Sequence, residues 1–266
     1  VERRYLLKFP IFPERICCLT TETAEIVYAL GAGDRVAGIS GFVTRPPEAR
    51  EKPKVSSFTS VRMDKIREVN PDLIITFSDL QAGIAQELVK AGYTVLALNQ
   101  RSLEETFQAI ELVGRVIGET KKAEALISSM RSEMDSIRAS APKSGVKPKV
   151  YFEEWDDPLI TGIRWVGELI QVAGGEDVFP EMKDRKSAPE RVVSSEEVIR
   201  RNPEIILASW CGKKVNIESI KNRLGWNQIS AVKNARIHEI KSPDILSPGP
   251  SLLNGLRQIH EIIKNY

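Results

Sequence analysis

The sequence predicts an α/β protein of two lobes joined by one rod. Three observations carry that reading: a long amphipathic helix near the middle of the chain, alternating strand and helix patterns on both sides of it, and an internal repeat. The helix is the stretch 120–141, TKKAEALISSMRSEMDSIRASA. Its apolar residues Ala123, Leu126, Ile127, Met130, Met134 and Ile137 recur at steps of three and four, which is one stripe of an α-helix and fits no strand. Gly118 closes the preceding helix, Thr120 is the expected N-cap, and Pro142 with Gly145 is the expected stop. At 1.5 Å per residue such a rod is roughly 30 Å long, about the width of a domain. The expected boundaries are therefore an N-terminal lobe over 1–119, a bridging helix over 120–141 and a C-terminal lobe over 142–266, with a ligand cleft between the lobes.

Composition narrows the function classes. The chain has 266 residues, 42% of them hydrophobic and 28% charged, an ordinary globular balance. Its 38 basic and 36 acidic residues are interspersed, which argues against a nucleic-acid stripe or a basic membrane patch. No apolar run reaches the roughly 18 residues needed to span a bilayer, and Val1 starts no signal-peptide pattern. An odd set of cysteines, Cys17, Cys18 and Cys211, with no CxxC, argues against a disulfide framework or zinc ribbon. Cys17 and Cys18 fall in ERICCL, a buried strand, and read as small core residues. Cys211, in the turn SWCG, is the one candidate for a reactive thiol, with structural filler as the plainer reading.

In the first lobe, residues 1–14 with Pro10 and Pro13 show no period and read as an arm. RICCL is the first strand, and TETAEIVYAL is a helix capped by Thr21 or Thr23 with Ala24, Val27, Tyr28 and Leu30 inward. VAGIS is the next strand. The glycines of GAGDRVAG suggest a dinucleotide turn, but that turn leads from strand into helix, whereas this segment leads from helix into strand. MDKIREVNPDLIITFS supplies a short helix, an Asn-Pro turn and a buried strand. QAGIAQELVKAGYTVLAL then gives a helix, a stop at Gly92 and a strand, and LEETFQAIELVGRVIG leads into the rod. Such alternation implies a mainly parallel sheet with helices on both faces. Ligands of these sheets collect beyond the carboxyl ends of the strands, here the loops 40–45, 56–60 and 77–79.

The second lobe repeats the first. After the polar connection APKSGVKPK, KVYFEEW opens a strand and WVGELIQVAGGEDVF forms a helix with a glycine stop. ALGAGDRV at 29–36 matches VAGGEDVF at 172–179, and DKIREVNPDLIIT at 64–76 matches EEVIRRNPEIILA at 196–208. The second match pairs Asn70 with Asn202, Pro71 with Pro203, and Asp64 with Glu196 at the start of each short helix. An acid there suits a helix N-terminus in any case. The same alignment puts one carboxylate on equivalent edges of two lobes, which suits gripping a two-subunit partner. EIILAS, IESIKNRLGW, ARIHEI and 251–264 continue as strand, helix, strand and helix, and the stiff loop KSPDILSPGPS holds Asp244 in place.

Signs of chemistry are sparse. The two histidines, His238 and His260, both lie late in the chain, so a bare metal site drawn from both lobes is not expected, and His260 reads as a surface or packing residue. No GxSxG, Walker, HExxH or EF-hand string occurs, so neither an enzyme nor a bound cofactor is implied. Aromatic residues at expected loop positions stand out: Phe42, Phe58, Phe77, Trp155, Trp165 and Trp210. Each alone could be a core or lid residue. Together they suggest a pocket for a large, mostly apolar ligand, with Arg45, Arg62 and Arg164 available as polar contacts.

RICCLTTETAEIVYALGAGDRVAGIS, DKIREVNPDLIIT, ELIQVAGGEDVF and LGWNQISAVKNARIHEIKSPDILSPGPSLLNGL together resemble the cobalamin-type substrate-binding proteins of ABC importers, over about residues 15–264. The resemblance implies two Rossmann-like, three-layer lobes bridged by one long helix, little closure on binding, and delivery of ligand to an ABC permease dimer. It also implies one docking acid per lobe, at Asp64 and Glu196. The ligand contacts it implies fall on Phe42, Phe58 and Phe77 in the first lobe; in the second, loop position alone places them on Trp165, Trp210 and Asp244, with Arg164 expected to join Asp244 in orienting polar edges of the ligand. The expected protein is a monomeric, extracytoplasmic, non-enzymatic binder of a corrinoid. A ferric siderophore or haem is the alternative cargo, and a chelatase-like enzyme a more distant one.

Overall fold

In a computed structural model, residues 11–141 and 147–266 are described; Pro142, Gly145 and the first ten residues of the expected arm lie outside them. The first sheet is built from β1 (Ile16–Cys18), β2 (Val36–Ser40), β3 (Lys54–Ser56), β4 (Leu73–Phe77) and β5 (Val95–Leu98), in the order β3-β2-β1-β4-β5 with every pairing parallel. Parallel pairing needs crossovers: α1 (Thr21–Ala29) lies between β1 and β2, α2 (Met63–Val69) between β3 and β4, and α3 (Ala82–Lys90) between β4 and β5, while the 3-10 turn Pro47–Glu51 serves between β2 and β3. The continuous apolar run of β1 follows from burial on both faces. Cys17 belongs to a core cluster with Leu19, Val55, Ile66, Ile74 and Leu88.

The expected helices are present, with shifted caps. The cap of α1 is Thr20, whose backbone N–H donates to Thr23 Oγ1 at 3.3 Å, so Thr21 lies inside the helix. Ala24, Val27 and Leu30 are buried as expected, while Tyr28 is only half-buried. α4 (Leu103–Val116) ends before Gly118, which takes φ +77°, and α5 (Thr120–Ser140) starts at Thr120 itself, with the Glu119 carbonyl accepting from Ala123 N–H at 3.0 Å. Ala123, Met130, Met134 and Ile137 form its buried stripe.

The chain divides into two compact units, one holding residues through Asn99 and Ala109–Leu126, the other Gln100–Gln108 and Ile127–Tyr266. The division falls inside both α4 and α5, so two consecutive helices contribute residues to each unit.

The second sheet is also mainly parallel, in the order β10-β9-β6-β7, formed by β6 (Lys149–Asp156), β7 (Leu159–Thr161), β9 (Ile205–Ala208) and β10 (Ile237–Glu239). Its departure is on the far side of β6. There the two-residue β8 (Glu176–Asp177) runs parallel to the first half and β7 turns back antiparallel to the second. These strands, like β3, are too short to stand out as apolar runs. The helices are α6 (Arg164–Val172), α7 (Ser195–Arg201), α8 (Ile217–Lys221), α9 (Ser230–Lys233), α10 (Ser242–Ile245) and α11 (Leu252–Lys264). α8 stops well short of the expected IESIKNRLGW because the chain turns through Gly225 at φ +80°, which seats Trp226 fully buried in the core against Tyr151.

The repeat extends to backbone geometry. α2 ends on Asn70 at φ 43°, ψ 65°, and α7 on Asn202 at φ 47°, ψ 64°, both left-handed. The next acid caps the first strand of each sheet: Asp72 Oδ1 accepts from Arg15 N–H at 3.0 Å, and Glu204 Oε2 accepts from Lys149 N–H at 2.9 Å. One folding unit therefore occurs twice, down to the side chain that fixes the strand entry.

Candidate binding site at the strand carboxyl ends

In the first sheet the strand order reverses at β1, so connections leaving β1 and β2 run one way and those leaving β4 the other. This arrangement opens a crevice at the carboxyl edge. Gln81 organises that edge. It is fully buried, its Nε2 donates to Leu19 O at 3.2 Å and Phe58 O at 2.9 Å, and its Oε1 accepts from Phe77 N–H at 3.1 Å. One amide thus ties the loops after β1, β3 and β4, while Thr21 Oγ1 reaches Phe42 O at 3.3 Å after β2. Phe42, Phe58 and Phe77 are brought to the same edge but differ in access. Phe42 is 56% exposed, Phe58 half-buried and Phe77 only 6% exposed.

Two acids at the start of α1 are buried beneath this edge, Glu22 at 3% exposure and Glu25 at 7%. Burial pushes the Glu22 carboxyl up to about 7, against the opposing pull of the Thr20 hydroxyl that donates to it. Glu25 Oε1 accepts from Arg45 Nε at 3.1 Å. Arg62 lies 3.7 Å from Asp64, and Arg164 Nε donates to Glu168 at 2.8 Å, so all three arginines considered as polar contacts are paired with acids. That bond, with the Glu168 charge, raises the Arg164 guanidinium further.

In the second unit, Trp165, Trp210 and Asp244 converge on the one-turn helix α10. Trp165 lies in the first turn of α6, 3% exposed, its indole N–H donating to Ile245 O at 2.8 Å. Ser242 Oγ donates to Trp210 O at 3.1 Å, and Gln258 Nε2 donates to Asp244 Oδ2 at 3.1 Å. Gly255 of α11 lets this turn come close, because a Cβ there would stand 2.6 Å from Asp244 O. Trp210, also 3% exposed, donates its indole N–H to Glu153 Oε1 at 3.0 Å, and Arg223 grips the same carboxylate at 2.5 and 2.9 Å. Trp165 and Trp210 thus support the edge with most of their ring surface already covered.

Beside Trp210, at the carboxyl ends of β9 and β10, lies an open cavity of about 480 Å³ whose lining includes Lys213, Lys214, Glu239 and Lys241. Lys213 stands 4.5 Å above the ring of Trp155 and 4.7 Å above that of Trp210 while bonding Asp156 at 2.8 and 2.9 Å. Cys211 is exposed next to this turn. Desolvation, aided by the charge of Glu154, raises its thiol, which opposes thiolate formation. Burial pushes Cys17 up to about 12 and Cys18 higher still, as inert core thiols. His260 is buried, its Nε2 3.2 Å from Ser140 Oγ.

Asp64 and Glu196 occupy the same place, second residue of α2 and of α7, and both are exposed. Hydrogen bonding to its own backbone N–H, then to Ser194, holds the Glu196 carboxyl below its usual range.

Sequence reasoning missed Gln81, Glu22, Glu153, Arg223 and Lys213. Of these, Glu153 carried a signal, since an acid inside the apolar run VYFEEW requires a buried partner.

Two mainly parallel sheets with loops gathered at their carboxyl edges are the architecture in which solutes bind beyond the strand ends. The chain belongs to the periplasmic binding protein family, whose sequence profile matches residues 16–243. It is 28% identical over 260 residues to an uncharacterized ABC transporter substrate-binding lipoprotein, YvrC, of Bacillus subtilis, covering 94% of this chain and 80% of that one. It is 27% identical over 252 residues to the vitamin B12-binding protein of Vibrio parahaemolyticus, covering 93% and 88%. A crystal structure from Staphylococcus epidermidis, described as a possible iron-binding (periplasmic solute-binding) protein, superposes with a TM-score of 0.81 at 27% identity, covering 94% of this chain and 98% of that one. The chain is thus the ligand-capturing component of an ABC importer, not an enzyme; proteins of this kind bind a ligand and interact with a permease. Its relatives are periplasmic or lipoprotein-anchored, and no helix among the described residues is long and apolar enough to cross a membrane.

Proposed function

We propose that this protein captures a corrinoid at the carboxyl edges of its sheets and delivers it, as a monomer at the outer face of the cell membrane, to an ABC permease. The observation that carries the reading is the pair of strand-edge surfaces. Phe42 and Phe58 offer ring surface in the first unit, and Trp210 borders the 480 Å³ cavity in the second. Phe77, Trp165 and Asp244 hold these edges in shape, and Arg164 supplies a fixed charge at the start of α6. The relative named as a vitamin B12-binding protein supports this cargo. Asp64 and Glu196, on matching turns, serve as the two permease contacts. Isothermal titration with cyanocobalamin tests the reading. One-to-one binding is expected, and the absence of both heat and tryptophan fluorescence change removes the corrinoid.

The alternative cargo is a ferric siderophore or haem, favoured by the likeness to a possible iron-binding protein. The visible spectrum of freshly purified protein separates these: a corrinoid, a haem and a ferric chelate absorb in different bands.

A further inference from the structure

The cavity at the ends of β9 and β10 has a charge pattern that an apolar pocket does not need. The chain leaves β9 through Trp210 and turns at Gly212, φ +76°, with Lys213 N–H donating to Trp210 O at 3.3 Å. The turn folds Lys213 back over the tryptophan ring and sets Lys214 on the rim, where Lys241, arriving from β10, lines the same cavity. Asp156 balances Lys213. Lys214 and Lys241 are exposed and have no salt-bridge partner among the described residues. The one carboxylate on the rim, Glu239, accepts from Val215 N–H at 3.1 Å. Two lysines without a salt-bridge partner among the described residues, Lys214 and Lys241, therefore line an open cavity together with the one carboxylate of Glu239 and the edge of Trp210.

We propose that this cavity is an anion seat, in which Lys214 and Lys241 hold a phosphate or carboxylate group carried by the solute. It rests on the reading of this edge as the ligand site and adds the charge class of what enters it. The seat selects within a set of similarly shaped chelates, because desolvating an ammonium is repaid only by an opposite charge. A phosphodiester on a nucleotide tail and the carboxylates of a metal chelate share that chemistry, and the test separates them.

The experiment compares the full chain with the variant Lys214→Gln, Lys241→Gln, which changes only exposed side chains. Both proteins are titrated with cyanocobalamin, with dicyanocobinamide, which lacks the nucleotide phosphate, and with two carboxylate-bearing probes, haemin and ferric citrate. The double substitution is expected to weaken whichever anionic probe binds by about tenfold or more, leaving any binding of dicyanocobinamide unchanged. High salt should weaken the wild-type protein more than the variant. Equal affinity of both proteins for cyanocobalamin overturns the anion seat and leaves the corrinoid reading standing. Binding of a carboxylate probe alone, lost in the variant, removes the corrinoid and keeps the seat. No anionic probe bound by the wild-type protein, or none affected by the substitutions, overturns the seat.

Discussion

The carboxylate of Glu153 is clasped by the guanidinium of Arg223 at 2.5 and 2.9 Å, with the Trp210 indole N–H on the same carboxylate at 3.0 Å. Glu153 is fully buried, so its charge depends on partners that arrive from the ends of other elements. Arg223→Leu strips most of that compensation and should cost about 3–5 kcal/mol in urea unfolding. Adding Glu153→Gln should recover a large part of the loss, because no buried charge is then left unmatched. A shift in tryptophan emission should accompany the single substitution, and equal stability of wild type and Arg223→Leu would remove the clasp as a stabilising element.

Gln81→Ala leaves the Leu19 and Phe58 carbonyls and the Phe77 N–H without their shared amide. The expected cost is about 2–3 kcal/mol, a buried polar loss spread over three loops. Amide hydrogen exchange should quicken at Phe77. Ligand affinity should fall with it, because the three loops place the phenylalanines.

Stability should decline from mildly acid to mildly alkaline pH. Glu22 has a folded pKa of about 7 against an ordinary value of 4.5, so between these the folded chain holds a proton that the unfolded chain has lost. The contribution is full below 4.5 and is lost as pH rises through 7, by about 3 kcal/mol at 1.36 kcal/mol per unit. Asp177, raised to about 6 from 3.8 mainly by desolvation, acts in the same direction. Glu197, drawn down to about 2 by Arg200 and then Arg201, acts oppositely, its stabilisation being lost as pH falls through that value. Glu22→Gln should therefore raise stability at pH 8 and leave it nearly unchanged at pH 5. Unfolding midpoints at the two pH values check this.

Asp64→Lys and Glu196→Lys reverse charge on exposed first turns and should change stability little, since what is lost is the favourable helix N-terminus, the Arg62 neighbour of Asp64 and the Ser194 hydrogen bond of Glu196. Permease binding to membranes or detergent-solubilised transporter should fall for each and further for both, with ligand affinity unchanged. An equal fall in ligand affinity would make these acids structural.

What the residues determine alone is what depends on near neighbours. The stripe from Ala123 to Ile137 and the two Asn-Pro turns at 70–71 and 202–203 recur at short spacing, so helix, turn and following strand were legible, and with them the duplicated unit and the family. The acids Asp64 and Glu196 were legible for the same reason, as positions within that unit. Access and partnership were settled by the tertiary structure. Trp165 and Trp210 are nearly buried while Phe42 stands open, because Ile245 and Glu153, 80 and 57 residues away, capture the two indoles. Gln81 reaches 62 residues to Leu19, and Arg223 reaches 70 to Glu153. Side chains so far apart meet only once the sheet order brings strand ends together, and no local pattern of polarity encodes which of them will.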